Sequence, residues 1–374
     1  MTCSHRLYYQ SAALLPQVDT SSVDLIVTSP PYPMIEMWDS LFSAYDQRIL
    51  QALEAYEAQQ AFHLMHDCLD TVWRECYRVL RPGGFACINI GDATRKIGSN
   101  FKLYSNHSRI VSSCESLGFQ CLPIILWRKQ TNTPNKFMGS GMLPAGAYAT
   151  LEHEYILIFR KGIKRAVTSP EDIYRRTQSA FFWEERNIWF SDIWDFKGAK
   201  QPLNSNKVRE RSAAFPFELP YRLINMFSLI GDTILDPFLG TGTTTLAGIA
   251  AARNTIGVEV DVKFESVIHD TIVKGSQFVN DEISARLNRH QGFMKKYTEE
   301  KGERKHKNTN YSFSVVTSQE RNLLLRFLKE LDLSDKRNIR SHYMEQPSLR
   351  FADPVVINGY SEFVTSGKQL SLNL

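Results

Sequence analysis

The sequence predicts an α/β protein with an open, mostly parallel β-sheet and helices on both faces. Short apolar runs recur along the chain, and segments with helical character separate them. The runs are near-continuously hydrophobic rather than alternating, as expected for parallel strands covered on both faces. The six runs are VDLIVT (23–28), FACINI (85–90), CLPIILW (121–127), EYILIF (154–159), DTILDPF (232–238) and NTIGVEV (254–260).

Length and composition restrict the class of protein. A chain of 374 residues allows one large domain with additions, or two domains. It contains no run of eighteen apolar residues and no secretory leader after Met1, so we expect a cytoplasmic protein without a membrane partner. The formal charge of +4 is compatible with a polyanionic partner without demonstrating one. The six cysteines show no C-x-x-C spacing, which predicts reduced thiols and no metal site.

The first apolar run ends in Ser29-Pro30-Pro31-Tyr32. Two consecutive prolines fix the backbone and remove two N–H donors, and an aromatic ring follows them. Such a loop is either a simple strand terminator or a site with acceptors on one side and a stacking face on the other. The tetrapeptide alone does not distinguish these two interpretations.

A second motif, LDPFLGTGTTTLAG (235–248), has the order strand, glycine-rich turn, helix. Gly240 and Gly242 allow close backbone approach, and the helix N-terminus offers N–H groups to an anion. Asp236 before the turn and Glu259 at the end of the next strand suit a ligand with an ammonium group and a ribose diol, as in S-adenosylmethionine. For either half alone, a packing turn or an ordinary strand-end acid is the favoured interpretation; the two halves together favour the cofactor site.

Together the segments TSPPY, DPFLGTGTT and IGVEVD resemble the DNA amino-methyltransferases, which methylate an exocyclic nitrogen of adenine or cytosine. The catalytic tetrapeptide precedes the cofactor turn, an order similar to that of the β group of this family. The resemblance covers residues 6–265 and is supported by further segments in the family's order. These segments are VLRPGGFACINIGD, LEHEYILIFRKG, SDIWDF and AAFPFELPYRLINMFS.

The resemblance implies a Rossmann-like S-adenosylmethionine-dependent methyltransferase fold, with S-adenosyl-L-methionine as the cofactor. It implies a catalytic loop formed by Ser29, Pro30, Pro31 and Tyr32. The cofactor-binding residues that it implies are Asp236, Pro237, Phe238, Gly240, Gly242, Thr243, Thr244, Glu259 and Phe215. Two positions depart from the family pattern: Gln10-Ser11 stands where a Gly-Asp pair is usual, and Arg211-Ser212-Ala213 where a His-Pro is usual.

The chemistry implied for the catalytic loop is transfer to an exocyclic amine. Ser29 Oγ and the Pro30 carbonyl would accept from the amine, Tyr32 would stack on the base, and the base would be flipped out of the duplex.

Methylation of cytosine C5 is excluded, because that reaction usually uses a Pro-Cys pair and no cysteine follows a proline. A leading serine in this family usually goes with N4 of cytosine and aspartate with N6 of adenine. We therefore expect N4 of cytosine, with N6 of adenine as the alternative. RNA methylation is a further alternative, and protein-glutamine methylation is disfavoured by the motif order.

The chain is expected to have one catalytic domain with an insert and an extension. The parts are a first catalytic part with the catalytic loop (1–160), a target-recognition insert (161–200), a cofactor-binding part (201–270) and a mostly helical C-terminal extension (271–374). Residues 318–331 are expected to form an amphipathic helix. Arg128, Lys129 and Lys136 in the loop 128–146 are candidates for phosphate contacts. The implied partners are double-stranded DNA and a cognate restriction endonuclease, and a homodimer is one assembly open to the chain.

Overall fold

The computed structural model describes residues 1–129, 143–146, 148–198, 215–351 and 353–359. The strands are β1 (Thr2–Tyr9), β2 (Val23–Thr28), β3 (Leu80–Ile90), β4 (Ala93–Ile97), β5 (Asn100–Tyr104), β6 (Phe119–Arg128), β7 (His153–Lys161), β8 (Ile193–Asp195), β9 (Thr233–Asp236), β10 (Asn254–Glu259), β11 (His306–Lys307), β12 (Ser314–Val315), β13 (Leu328–Asp332), β14 (Asn338–Tyr343) and β15 (Val356–Asn358). The helices are α1 (Asp39–Tyr45), α2 (Gln47–Glu54), α3 (Ala58–Val79), α4 (Asn106–Ser116), α5 (Pro170–Gln178), α6 (Trp183–Trp189), α7 (Glu218–Phe227), α8 (Thr243–Ala250) and α9 (Glu265–Lys301), with 3-10 turns at Glu36–Trp38, Val262–Phe264 and Ser318–Glu320.

Within the described residues, eleven strands form one mixed sheet in the order β15-β13-β14-β1-β10-β9-β2-β3-β7-β6-β8. The central strands β1, β10, β9, β2 and β3 run parallel. Strand β7 runs antiparallel between β3 and β6. All six apolar runs of the sequence form strands of this sheet, so the prediction of an open, mostly parallel α/β sheet is confirmed.

Helices cover both faces of the sheet. All six residues of β2 are buried, and four of them are apolar, as expected for a strand covered on both faces; the two polar residues, Asp24 and Thr28, have polar partners. One face packs against α7, α8 and α9 through residues such as Leu223, Leu246 and Ile272. The other face packs against the helices from α1 to α4, with Trp73 and Ile110 in that layer. The carboxyl ends of the central strands therefore open onto one edge between two helical layers.

The C-terminal extension corrects two expectations. Helix α9 ends at Lys301, and the described residues after it form β11 to β15 instead of a mostly helical extension. The expected helix over 318–331 is wrong as well: a short 3-10 turn is followed by β13. Strand β13 pairs with β14, and β14 pairs with β1 in the main sheet. Burial of Leu328 and Leu331 in this pairing overrides the local helical pattern.

The expected insert over 161–200 begins as β7 ends and contributes α5, α6 and β8. Strand β8 extends the main sheet by pairing in parallel with β6. A buried ion pair between Arg286 of α9 and Glu185 of α6, at 2.7 Å, fixes the insert to the extension. No helix in the described part of the chain is long and apolar enough to cross a membrane.

Candidate active site

The two sequence motifs meet because β2 and β9 are neighbouring parallel strands. Leu25 pairs with Ile234 and Ile26 with Leu235, so both strands end at the same edge of the sheet. At that edge Thr28 Oγ1 donates a hydrogen bond of 2.6 Å to Asp236 Oδ1. The catalytic loop and the cofactor turn, far apart in sequence, therefore begin from directly linked residues.

Asp236 organises the glycine-rich turn. Besides Thr28, its carboxylate accepts from the backbone N–H of Phe238 at 3.0 Å and from Thr244 Oγ1 at 2.6 Å. Burial raises the pKa of Asp236 from 3.8 to about 6, although the hydrogen bonds from Thr244, Thr28 and Phe238 oppose this shift. The carboxylate is thus held by strand β2, by the turn and by helix α8, and Asp236 is among the residues that line the cavity described below.

The glycines of the turn adopt backbone conformations that a side chain would strain. Gly240 has a φ of 55° and Gly242, the N-cap of α8, a φ of 89°. A Cβ added at Gly242 would lie 3.1 Å from Ile268 Cγ2. Glu259, at the end of β10, accepts from the N–H of Gly240 at 2.9 Å and of Asp261 at 3.0 Å. Burial raises the pKa of Glu259, and these backbone hydrogen bonds oppose the shift.

A cavity of about 510 Å³ opens at this edge of the sheet. The predicted site residues that line it are Ser29, Pro30, Pro31, Phe215, Asp236, Pro237, Phe238, Gly240, Thr243 and Glu259. Tyr32, Gly242 and Thr244 are not among its lining residues: Gly242 lies against α9, Thr244 binds Asp236, and the Tyr32 hydroxyl is directed to Glu154. Gln10 and Ser11, which depart from the family pattern, also line the cavity.

The residues of this cavity fit S-adenosylmethionine. The volume lies in the usual range for small-molecule sites, roughly 300–1,000 Å³. Aromatic rings of Phe238 and Phe264 offer an apolar surface, and the carboxylates of Asp236, Glu259 and Asp261 offer acceptors for an ammonium group and hydroxyls. The far wall comes from α1, α2 and α3 and from the turn before α1, for example Trp38, Leu41 and Cys68. Nothing in the local sequence signals these wall residues, because packing alone brings them here.

The catalytic loop is held by polar side chains from distant strands. Tyr32 Oη lies 3.1 Å from Ser29 Oγ, accepts from Asn89 Nδ2 at 2.9 Å and donates to Glu154 Oε2 at 3.0 Å. Asn89 Nδ2 also donates to Glu154 Oε2 at 2.6 Å, and Lys129 Nζ pairs with Glu154 Oε1. Burial, followed by the charge of Glu154, raises the pKa of Tyr32 well above 10, which keeps its hydroxyl protonated.

Sequence reasoning missed Asn89 and Glu154. Both lie in strands recognised as buried, β3 and β7, and both are almost fully buried, with exposed fractions of 2% and 7%. A polar residue inside an apolar strand is the sequence feature that could have identified Asn89 and Glu154, since buried polar groups need partners.

The side chain of Lys129 pairs with Glu154, while Arg128 is exposed and lies 3.8 Å from Asp195. Lys136 and the segment 211–213 lie outside the described residues.

The residues that follow Tyr32 are fixed by a second polar pair, Asn106 and His66. Asn106, the first residue of α4, donates from Nδ2 to the carbonyls of Pro33 and Gly91, both at 3.0 Å. Its Oδ1 lies 3.0 Å from Nε2 of the fully buried His66. These contacts tie the residues after Tyr32 to the end of β3. The loop is therefore held on both sides.

The Rossmann-like sheet, the glycine turn after β9 and the acid at the end of β10 define the class of S-adenosylmethionine-dependent methyltransferases. A known structure of this kind is the putative DNA modification methylase TTHA0409 of Thermus thermophilus, solved in complex with S-adenosyl-L-methionine. It is similar to this chain with a TM-score of 0.55 and 33% identity, covering 72% of this chain and 95% of that protein.

Comparison with sequence families makes the assignment more specific. The N6/N4 DNA methylase family profile matches residues 23–270. The chain is 49% identical over 327 residues to the type II methyltransferase M.MthZI of Methanothermobacter thermautotrophicus, covering 87% of this chain and 91% of the relative. It is 50% identical over 283 residues to M.MjaI of Methanocaldococcus jannaschii, covering 73% and 92%. The chain therefore belongs to the DNA methylase family and is an S-adenosylmethionine-dependent DNA amino-methyltransferase, as the sequence motifs predict. The family includes both N4-cytosine and N6-adenine enzymes.

Proposed function

We propose that the protein transfers a methyl group from S-adenosylmethionine to the exocyclic N4 of a flipped-out cytosine within a specific site of duplex DNA. The observation that carries the choice of base is Ser29, a hydroxyl rather than a carboxylate, at the head of the catalytic loop and lining the cavity. In this family a leading serine usually accompanies N4 of cytosine. N6 of adenine is the alternative target.

The proposed chemistry rests on two acceptors. The lone pair of an exocyclic amine is delocalised into its ring, which makes the nitrogen a weak nucleophile. Ser29 Oγ and the Pro30 carbonyl would accept from the two amine protons, oppose this delocalisation and stabilise the positive charge that develops as the N–C bond forms. When bound, the cofactor would supply a methyl group already activated on a sulfonium. The sulfonium would leave as a neutral thioether as its S–CH₃ bond breaks, and the methylated amine would lose one proton to solvent. The remaining task of the protein is positioning, which Asp236 and Glu259 would perform at the ammonium and ribose groups.

The proposed target is a base flipped out of the duplex, because a paired base cannot reach a pocket at the edge of the sheet. Recognition of the surrounding sequence is assigned to the insert over 161–200 and to residues 128–146, of which 130–142 lie outside the described residues. Arg128, the last residue of β6, has a side chain that is 60% exposed; it lies 3.8 Å from Asp195 and would exchange this partner for a phosphate. The two type II relatives support a role in restriction-modification, with a cognate endonuclease as the functional partner.

The test is the identity of the methylated product. Transfer of labelled methyl groups to duplex DNA, RNA and protein should be measured in parallel, and the modified DNA digested to nucleosides. We expect label in duplex DNA and N4-methylcytosine as the product. Detection of N6-methyladenine alone would refute the choice of base and establish the alternative. Sequencing that detects modified bases in DNA from expressing cells, compared with cells carrying Ser29→Ala, would then give the recognition site.

A further inference from the structure

We propose that Glu154, through Tyr32, sets the orientation of the Ser29 hydroxyl and thereby makes Ser29 a hydrogen-bond acceptor for the target amine. This inference rests on the proposed function, in which Ser29 accepts from that amine. Glu154 is a positioning residue here, since it lies one side chain away from Ser29 and contacts it only through Tyr32.

The directions of the hydrogen bonds follow from what each group can donate. Glu154 pairs with Lys129 through Oε1, and a carboxylate oxygen accepts only, so Glu154 Oε2 receives the Tyr32 hydroxyl proton across 3.0 Å. Asn89 Nδ2 has two protons, and it directs one to Glu154 Oε2 at 2.6 Å and one to Tyr32 Oη at 2.9 Å. With its only proton engaged by Glu154, Tyr32 Oη can act toward Ser29 only as an acceptor.

Ser29 Oγ lies 3.1 Å from Tyr32 Oη, and either hydroxyl alone would be able to donate in that pair. Because the Tyr32 hydroxyl already donates its proton to Glu154, the Ser29 hydroxyl donates its proton to Tyr32 Oη. The lone pairs of Ser29 Oγ are then left for the cavity, which Ser29 lines. A freely rotating serine hydroxyl would point its proton at the amine in part of its conformations, and a donor facing a donor hinders the reaction.

The surroundings favour this arrangement. Glu154 is buried, and its second oxygen pairs with Lys129, so neither carboxylate oxygen lacks a partner. The raised pKa of Tyr32, caused mainly by burial, keeps the phenol protonated and able to donate to Glu154. Three separate strands supply the network, since Asn89 is on β3, Glu154 on β7 and Ser29 follows β2.

The decisive experiment is a double-mutant cycle on the single-turnover rate of methyl transfer, with cofactor and DNA saturating. Tyr32→Phe keeps the ring and leaves Glu154 bound to Asn89 and Lys129, so it should fold. It should lower the rate about tenfold, as expected for one reoriented hydrogen bond, without changing cofactor affinity. Because Tyr32 acts through Ser29, the double variant Ser29→Ala/Tyr32→Phe should be no slower than Ser29→Ala alone.

Glu154 gives a second, independent test. Glu154→Gln retains an oxygen that can accept from Tyr32, and the partly exposed Lys129 can turn away from the amide. Glu154→Leu offers no acceptor and should therefore lose more of the rate than Glu154→Gln. Glu75, with a 9% exposed fraction and hydrogen bonds to Arg78 and the Leu15 N–H, provides a matched buried acid. Glu75→Gln should lower the melting temperature and leave the rate unchanged.

The outcomes separate this inference from the proposed function. Additive losses in the double-mutant cycle, or equal rates for Glu154→Gln and Glu154→Leu, would overturn the orientation of Ser29 by Glu154. Either result would leave the assignment of the target base intact, because product analysis decides that base independently. A product containing only N6-methyladenine would overturn the choice of cytosine, while a non-additive cycle would still support the orienting role.

Discussion

The cofactor turn and the catalytic loop start from adjacent strands, yet they are held in different ways. In the turn, the Asp236 carboxylate accepts from the N–H of Phe238, two residues away, and from Thr244, eight residues away, with Thr28 of β2 as a distant third donor. In the loop, Tyr32 is held by Asn89, 57 residues away, and by Glu154, 122 residues away. The turn is largely a local structure, whereas the loop depends on the assembled sheet. Variants should therefore separate cofactor affinity from the rate of transfer.

The largest effect is expected for Ser29→Ala. In the proposed mechanism it removes an acceptor whose interaction strengthens in the transition state, and loss of one such contact typically costs about 10²–10³ in rate. Cofactor affinity should be retained, because the turn does not depend on Ser29. Single-turnover kinetics and calorimetry measure the two quantities.

A matched control for Ser29→Ala is Ser228→Ala. Ser228 is also hydrogen-bonded and is buried, donating to the Ile224 carbonyl at 2.6 Å, but it precedes β9 at the opposite edge of the sheet. Ser228→Ala should affect only stability. Wild-type turnover in Ser29→Ala would end the catalytic assignment of the loop.

The next largest effect is expected for Asp236→Ala, which acts on the turn. The change removes a buried acceptor of three hydrogen bonds and should lower stability by about 2–4 kcal/mol. Cofactor affinity should fall about 10–150-fold as the proposed charge-assisted contact to the ammonium group is lost. Thermal melts and calorimetry on the folded variant measure these two effects.

Asp232→Ala is the control for Asp236→Ala at the other end of the same strand. Asp232 has the same exposed fraction of 2% and pairs with Arg165 at 2.7 Å and Arg175 at 2.8 Å. Its loss should also destabilise the fold, but cofactor affinity should remain. If both aspartate variants bind the cofactor equally well, Asp236 has only a structural role.

A smaller effect is expected for Tyr32→Ala, which removes the ring itself. Stacking on a base is worth roughly 1–3 kcal/mol, so binding of DNA that contains the target base should weaken by this amount. DNA with an abasic target position serves as the control substrate, and its affinity should not change. Equal weakening on both DNAs, together with a lower melting temperature, would show that the ring supports only the fold.

The smallest effect is expected for cofactor affinity when the pH is lowered. Burial raises the pKa of Asp236 to about 6, so below that pH the carboxyl becomes protonated and, in the proposed site, no longer attracts the ammonium group of the cofactor. Affinity should fall about tenfold by one pH unit below this pKa. Protonation of Asp236 has the opposite effect on the stability of the fold. Because the pKa of this carboxyl is raised from 3.8 in the folded state, the folded state is favoured as the pH falls from about 6. The loss of cofactor affinity is therefore not caused by unfolding through this group.

Calorimetry across this pH range in Asp236→Asn provides the control. Burial also raises the pKa of Glu259, so some pH dependence of affinity should remain in this variant. The dependence should nevertheless be weaker than in the wild-type protein. An unchanged dependence would assign the effect to groups other than Asp236.

The contrast between a largely local cofactor turn and a catalytic loop held by distant residues explains which features the sequence predicts and which it does not. The six strands and the cofactor turn follow from contiguous residues, because apolar runs, glycines and an acid at the strand end carry the information locally. Asn89 and Glu154 were inside correctly identified strands, but their meeting with Tyr32 requires the strand order β2-β3-β7. The helix expected over 318–331 fails for the same reason, since β13 forms by pairing with β14. Pairing between strands that are distant in sequence determines both the contacts of Tyr32 and the formation of β13.

The pairing of β1 with β14 also has a consequence for synthesis of the protein. Thr2 lies opposite His342 in this antiparallel pair, 340 residues away along the chain. At a translation rate of about 5–20 residues per second, roughly 20–70 s separate the synthesis of these two strands. Until β10 is made, both edges of β1 lack a partner strand, and until β14 is made the second edge stays open to pairing with other chains. Folding on the ribosome must therefore protect this edge until the last strands emerge, and chains truncated before Asn338 should aggregate.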